Sequence, residues 1–142
     1  MAANTQPIYS SVGDIEWSST PLIIQNQLYD GSGSVATVFS ASASGSFVQR
    51  VRFKASGSTT ATVARLFINN GGDNTTAANN FLFDEITLTG FSGSQTAAST
   101  VFEIPMNIAL PPAYRIIATI GTTQIANGGW YVGAIGGSYL PI

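Results

Sequence analysis

The sequence contains no cysteine and no histidine, and these two absences exclude several classes of function. Without cysteine the chain has no disulfide bond, no thiol nucleophile and no thiolate-bound metal. Without histidine it can build neither a Ser-His-Asp triad nor a histidine-ligated metal site. It also lacks the side chain that most often acts as a general base, so any catalysis would have to rely on carboxylates alone.

Charged residues are scarce as well. Five Lys or Arg and seven Asp or Glu make up 8% of the 142 residues, against about 25% in a typical soluble domain. The hydrophobic content of 44% is ordinary, so the composition is not that of a disordered chain. The formal net charge of −2 gives no overall field that would draw the protein to nucleic acid or to an acidic membrane. We therefore predict no nucleic-acid partner.

Long hydrophobic runs are absent too. No stretch reaches the roughly 20 apolar residues of a membrane span, and the longest apolar region, Ile104 to Ile120, is interrupted by Asn107 and Pro111. The first residues lack the basic region and apolar run of a secretory signal. We expect synthesis in the cytoplasm without a sorting signal, and no membrane partner.

Short strand-like runs separated by Gly, Ser, Asn and Pro are what the sequence does contain. Nine candidates are Val12–Trp17, Leu22–Leu28, Val35–Ala41, Phe47–Ala55, Ala61–Asn69, Phe81–Thr89, Thr100–Met106, Tyr114–Ile120 and Gly129–Gly136. No segment has a helical period. The spacing predicts an all-β, single-domain antiparallel β-sandwich over residues 12–142, preceded by a flexible N-terminal arm over residues 1–11.

The run from Phe47 to Ala55 carries three of the five cations. Strict alternation places Arg50, Arg52 and Lys54 on one face of the strand, together with Val48. One interpretation is a solvated face whose cations pair with Asp14 and Glu16 on a neighbouring strand. The other is a docking strip for an acidic protein surface. Nucleic acid is a weaker candidate, because no aromatic residue is interleaved with the three cations on their face of the strand.

Two further strands are apolar on both faces. Val63, Arg65 and Phe67 alternate with a second set of mostly apolar residues, and Phe81 and Phe83 belong to a similar run. Such a strand is either covered on both sides within one chain or forms part of a subunit interface. The low charge of the whole protein favours the second interpretation, since a monomer would expose apolar patches.

Potential metal and acid–base sites are weak. The loop of residues 69–76 is rich in Asn and Gly, but Asp73 is its only carboxylate, whereas calcium needs six to eight oxygen ligands. Adjacent Asp84 and Glu85 point to opposite faces of a strand. Asp14 and Glu16 share a face about 7 Å apart, which fits glycoside hydrolysis in distance alone. We predict that the protein is not an enzyme and has no metal or cofactor.

Aromatic residues offer a different possibility. Trp17, Trp130 and Tyr131 could stack on sugar rings, which would suit a glycan-binding domain. Aromatic residues within the strands of a sandwich more often belong to the core, and we assign these three to the core.

Several segments resemble the head decoration, or cement, proteins of tailed bacteriophages. These segments are Asn4 to Tyr9, Thr62 to Gly71, Asn74 to Asn80, Asp84 to Leu88 and Glu103 to Pro111. The resemblance implies a jelly-roll sandwich, a homotrimer, and a place on the outer surface of the phage head. There such a protein would bind the major capsid protein, bridge its subunits and stabilise the head.

On this interpretation Arg50, Arg52 and Lys54 are candidates for capsid contact. Candidates for the subunit interface are Val63, Arg65, Phe67, Phe81 and Phe83. The alternative is a phage fibre or lectin-like domain that binds glycans, which would need a surface cluster of aromatic residues.

Overall fold

A computed structural model of the protein describes residues 12–124 and 128–140, so the predicted arm over residues 1–11 lies outside the described residues. The eight strands are β1 (Val12–Trp17), β2 (Ala36–Ser40), β3 (Ser46–Ser56), β4 (Thr62–Asn69), β5 (Asn80–Leu88), β6 (Val101–Leu110), β7 (Arg115–Ile120) and β8 (Gly129–Ser138). The prediction of an all-β chain is confirmed. The described residues contain one 3₁₀ turn, and no helix among them is long and apolar enough to cross a membrane.

The strands form two four-stranded antiparallel sheets. Sheet 1 has the order β1-β8-β3-β6, and sheet 2 has the order β2-β7-β4-β5. Both sheets contribute to one cluster of buried apolar side chains. Its largest members are Trp130, Phe39, Phe53, Leu66, Leu88, Ile104, Ile116 and Ile120. Every strand except β1 contributes buried side chains to this shared core, which fixes the direction of its other face.

The prediction of a strand over Leu22–Leu28 is wrong. Only Leu22 forms a strand-like bridge, to Trp130. Farther along, the Asn26 side chain donates to the carbonyls of Ser32 and Ser34, each over 2.8 Å, so the chain folds back on itself instead of pairing. Alternating apolar residues suggested a strand here. Instead, the buried side chain of Asn26 makes the hydrogen bonds to nearby backbone carbonyls that a paired strand would otherwise make.

The segment of residues 23–35, which we call the covering segment, runs from the end of β7 to the outer side of sheet 2. The backbone N–H of Asn26 donates to Ile120 at the end of β7, and Asn80 at the start of β5 donates to the carbonyl of Asp30. Between these anchors, the ring of Tyr29 stacks on the guanidinium of Arg65 in β4 at 4.1 Å. Sheet 2 is thus contacted on its outer side by its own chain.

The outward face of β4 is buried. Phe67 is fully buried and Arg65 is 6% exposed, although both point away from the shared core. These two residues have no free surface for a second copy, so their assignment to a subunit interface is corrected to burial within one chain. Val63 and Phe83 are partly buried, and Phe81 is 63% exposed. For these three, the interface role stays a prediction.

Strand β3 contains a bulge that changes the predicted alternation. Its register with both neighbouring strands shifts between Val48 and Arg50. The extra residue lets Val48 and Val51 both point into the core, where each is fully buried. Val48 therefore does not share a face with the cations, contrary to the sequence prediction. Beyond the bulge the predicted alternation holds through Lys54.

Acidic residues and a proline lie on the edge strands of the two sheets. The edge strands are β1 and β6 in sheet 1, and β2 and β5 in sheet 2. Five of the seven acidic residues lie on them: Asp14, Glu16, Asp84, Glu85 and Glu103. Pro105 adds a residue that cannot donate to a ladder, and β2 has only five residues. Edges of this kind disfavour strand addition, so contacts with partners are expected through the faces of the sheets.

We predict that Phe67→Ala lowers the free energy of unfolding by about 3–5 kcal/mol, because it removes a fully buried ring. The matched control is Phe81→Ala, which removes the same ring from an exposed position and, at dilutions where the protein is a monomer, should cost about 0.5 kcal/mol or less. Urea denaturation followed by circular dichroism measures both. Equal losses for the two variants would contradict the burial of Phe67 within one chain.

Candidate functional site

The outer face of sheet 1 brings aromatic and cationic side chains together. Gly133 of β8 lies opposite Trp17 of β1 on one side and opposite Arg52 of β3 on the other. Tyr131 of β8 lies opposite Lys54 of β3. Residues directly opposite each other in a sheet share a face, so these side chains form one surface.

The centre of this surface is an open groove of about 260 Å³, which we call the sheet-1 groove. It is lined by Trp17, Arg52, Lys54, Tyr131, Val132 and Gly133. Gly133 leaves its centre open, since a Cβ atom there would lie 3.3 Å from the Cβ of Trp17. Trp17 is 68% exposed and Tyr131 is 56% exposed. Two large aromatic side chains thus stand in solvent beside two cations.

Exposure of Trp17 and Tyr131 corrects their assignment to the core. Only Trp130 is a core residue: it is fully buried, with the ring of Phe102 edge-on at 5.9 Å. The alternation of β8 carried a signal for this, because an inward Trp130 requires an outward Tyr131. The position of Trp17 could not be read in the same way, since β1 is short and its pairing partner is distant in sequence.

The cations of β3 are paired across the strand ladder with one carboxylate. Glu103 of β6 lies opposite Arg52, with 3.2 Å between a carboxylate oxygen and Arg52 Nε, and 3.6 Å between its other oxygen and Arg50 Nε. Lys54 Nζ donates to the carbonyl of Ser99 over 3.0 Å. Three cations and one carboxylate leave the surface with a surplus of positive charge. This surplus favours an acidic ligand.

Asp14 and Glu16, the partners expected for these cations, make other contacts. Asp14 accepts a hydrogen bond from the Ser138 hydroxyl over 3.0 Å, and Glu16 accepts one from the backbone N–H of Ser40 over 3.2 Å. Partial burial raises the pKa of Glu16, and the nearby Asp14 adds to this rise, while the Ser40 hydrogen bond opposes it.

The other two cations, Arg65 and Arg115, make contacts elsewhere in the protein. Arg65 is buried under Tyr29, and the nearest oxygen of Glu85 is 3.8 Å from its Nε. Arg115 donates to the side-chain oxygen of Asn69 over 2.9 Å and to the carbonyl of Gly72 over 2.8 Å. Neither guanidinium belongs to the surface around the sheet-1 groove.

The loop of residues 69–76 is organised by its own hydrogen bonds. Asp73 accepts a hydrogen bond from the backbone N–H of Thr75, and this bond lowers the pKa of the carboxyl group. Asn70 and Asn69 accept similar bonds from Gly72 and Gly71. Within residues 12–124 and 128–140, no group of three or more acidic side chains converges on a point where a metal could bind.

We predict that Glu16→Gln stabilises the protein at about pH 7, and that this gain disappears below about pH 4. The folded-state pKa of Glu16 lies above its ordinary value of 4.5. The folded protein therefore holds this proton more tightly than the unfolded chain, and stability falls as the pH rises through the folded-state pKa. Urea midpoints measured across the pH range test this. A gap between the variants that does not change with pH would contradict it.

Comparison of the chain with known proteins gives no match. No protein-family model, no curated protein and no solved structure matches it. The assignment of function therefore depends on the geometry and chemistry of the sheet-1 groove and on the resemblance of the sequence segments described above.

Proposed function

We propose that this protein is a head decoration protein of a tailed bacteriophage. It binds the outer surface of the assembled head through the outer face of sheet 1 and stabilises the head by bridging major capsid protein subunits. The observation that carries the proposal is the exposure of Trp17 and Tyr131 beside Arg52 and Lys54 in the sheet-1 groove. On this proposal the protein is made in the host cytoplasm and resides on the virion.

The composition of this surface suits a protein partner. Tryptophan, tyrosine and arginine dominate the binding energy of protein interfaces, and all three are present here within one groove. The groove is open and shallow, unlike the concave sites that enclose small molecules. A capsid contact through Arg50, Arg52 and Lys54 requires an acidic surface on the capsid, because these residues give this face of sheet 1 a surplus of positive charge.

The order of the strands supports the jelly-roll part of the proposal. The pairs β1·β8, β2·β7, β3·β6 and β4·β5 are those of one long hairpin whose tip lies between β4 and β5. Successive pairs along this hairpin alternate between sheet 1 and sheet 2. We infer that the hairpin is wound around the shared core as a jelly-roll β-sandwich, an architecture found in viral capsid proteins.

Stabilisation of the head requires no chemistry. A ligand that binds the assembled lattice, but not its separated subunits, stabilises the lattice by RT ln(1 + [L]/Kd). At a hundredfold excess over Kd this amounts to about 2.7 kcal/mol per site. A homotrimer would bind more strongly still, because its second and third contacts form at high effective concentration.

The trimer itself is part of the proposal. Exposed apolar side chains away from the sheet-1 groove support an interface with other copies. They include Ile24 at 70% and Leu28 at 48% on the covering segment, together with Phe81 of β5. With the sheet-1 face assigned to the capsid, these residues remain for contacts between copies.

A glycan-binding function is the second candidate. It is favoured by the same two exposed aromatic residues, since Trp17 and Tyr131 could stack on a sugar ring and the groove of about 260 Å³ could hold one. The cations of the groove would then select an acidic sugar. The two candidates differ in their partner, so binding to purified heads separates them from binding to glycans.

We predict that Trp17→Ala weakens binding to purified heads by roughly thirtyfold, the effect of losing an interface residue worth about 2 kcal/mol. The control is Leu140→Ala, which removes an exposed apolar side chain that lies outside the sheet-1 groove and outside the residues named for contacts between copies. Co-sedimentation of the protein with heads, at a series of concentrations, gives both affinities. Wild-type binding by the Trp17 variant would contradict the proposed docking surface.

The decisive test of function compares heads with and without the protein during heating. We expect decorated heads to survive to a higher temperature than bare heads. Equal survival would remove the stabilising role. Binding of the protein to acidic glycans, with no binding to heads, would favour the second candidate.

A further inference from the structure

The two arginines beside the sheet-1 groove share a single carboxylate. Glu103 projects from the edge strand β6 towards Arg50 and Arg52, which lie two positions apart on β3. The side chains of all three residues are between 38% and 46% exposed, so the cluster is open to solvent. It carries one surplus positive charge.

Glu103 does not satisfy both guanidinium groups. Its carboxylate oxygen is 3.6 Å from Arg50 Nε, which is too long for a hydrogen bond. Arg50 Nε is buried and has no hydrogen-bond partner, so the terminal Nη groups of this partly exposed side chain are the donors that a ligand can reach. A guanidinium has five donors in a planar fork, and a carboxylate can accept two of them at once. The cluster therefore has donors for one more carboxylate.

We propose that the Arg50–Glu103–Arg52 cluster binds a second carboxylate, supplied by an Asp or Glu side chain of the partner. Two guanidinium groups and two carboxylates then form a neutral cluster, and its Arg52 lines the sheet-1 groove together with Trp17. The inference rests on the proposed docking function and names the chemical group that the surface recognises. It assigns Glu103 the role of an internal counter-ion that lowers affinity for the partner.

Four proteins that differ in the charged residues of this cluster test the proposal. The cluster has a surplus of +1 in the wild type, 0 in Arg50→Gln, +2 in Glu103→Gln and +1 again in the double variant. We expect Glu103→Gln to bind a carboxylate ligand about threefold more tightly than wild type, and Arg50→Gln about threefold less tightly. The double variant should return to within a factor of two of wild type.

The probe is a hexaglutamate peptide, with a hexaglutamine peptide as the neutral control. Binding is followed by NMR through the indole N–H of Trp17, identified by its loss in Trp17→Phe. Thermal unfolding of each variant checks that the fold is kept. The proposal is overturned if the double variant binds as weakly as Arg50→Gln, or if Glu103→Gln binds no more tightly than wild type.

This outcome is separate from the fate of the proposed function. If the peptide affinities follow the expected order and the protein does not bind heads, the carboxylate site stands and the capsid is not its partner. If the protein binds heads but the affinities do not follow this order, the docking function stands and the carboxylate site is rejected.

Discussion

The shared core between the two sheets determines which side chains this protein presents to a partner. Burying Trp130 and Val132 in that core turns Tyr131 and Gly133 of β8 outwards. Burying Val51 and Phe53 does the same for the cations of β3, once the bulge has set their direction. The direction of the β3 and β8 side chains in the sheet-1 groove therefore follows from core packing, and all the groove side chains stand on strands and not on loops.

Residues of opposite charge occupy different strands of the two sheets. All five cations lie on central strands: Arg50, Arg52 and Lys54 on β3, Arg65 on β4 and Arg115 on β7. The acidic residues lie on edge strands or in loops. Acidic edges discourage pairing with other strands, while the cations on β3 give the face of sheet 1 its positive charge. On sheet 2 the covering segment occupies the corresponding position, and Tyr29 stacks on Arg65. This asymmetry leaves sheet 1 as the face suited to an acidic partner.

The positions of most strands could be predicted from the sequence, but the contacts that surround these strands could not. Eight of the nine predicted strands are present, because a period of two is a local property of the chain. The bulge before Arg50 could not be predicted, since it depends on pairing with β6 and β8. Trp17 became part of the candidate site only through its register with Gly133, which lies more than a hundred residues away. The burial of Phe67 depends in the same way on a layer that local patterns do not reveal.

The central claim is that the outer face of sheet 1 contacts the phage head. Hydroxyl-radical labelling, read out by mass spectrometry on free and head-bound protein, tests it most directly. Trp17 and Tyr131 should label rapidly in the free protein and slowly on heads. Tyr29, equally exposed on the other side of the molecule, should label at the same rate in both. Unchanged labelling of Trp17 and Tyr131 in head-bound protein would contradict the account.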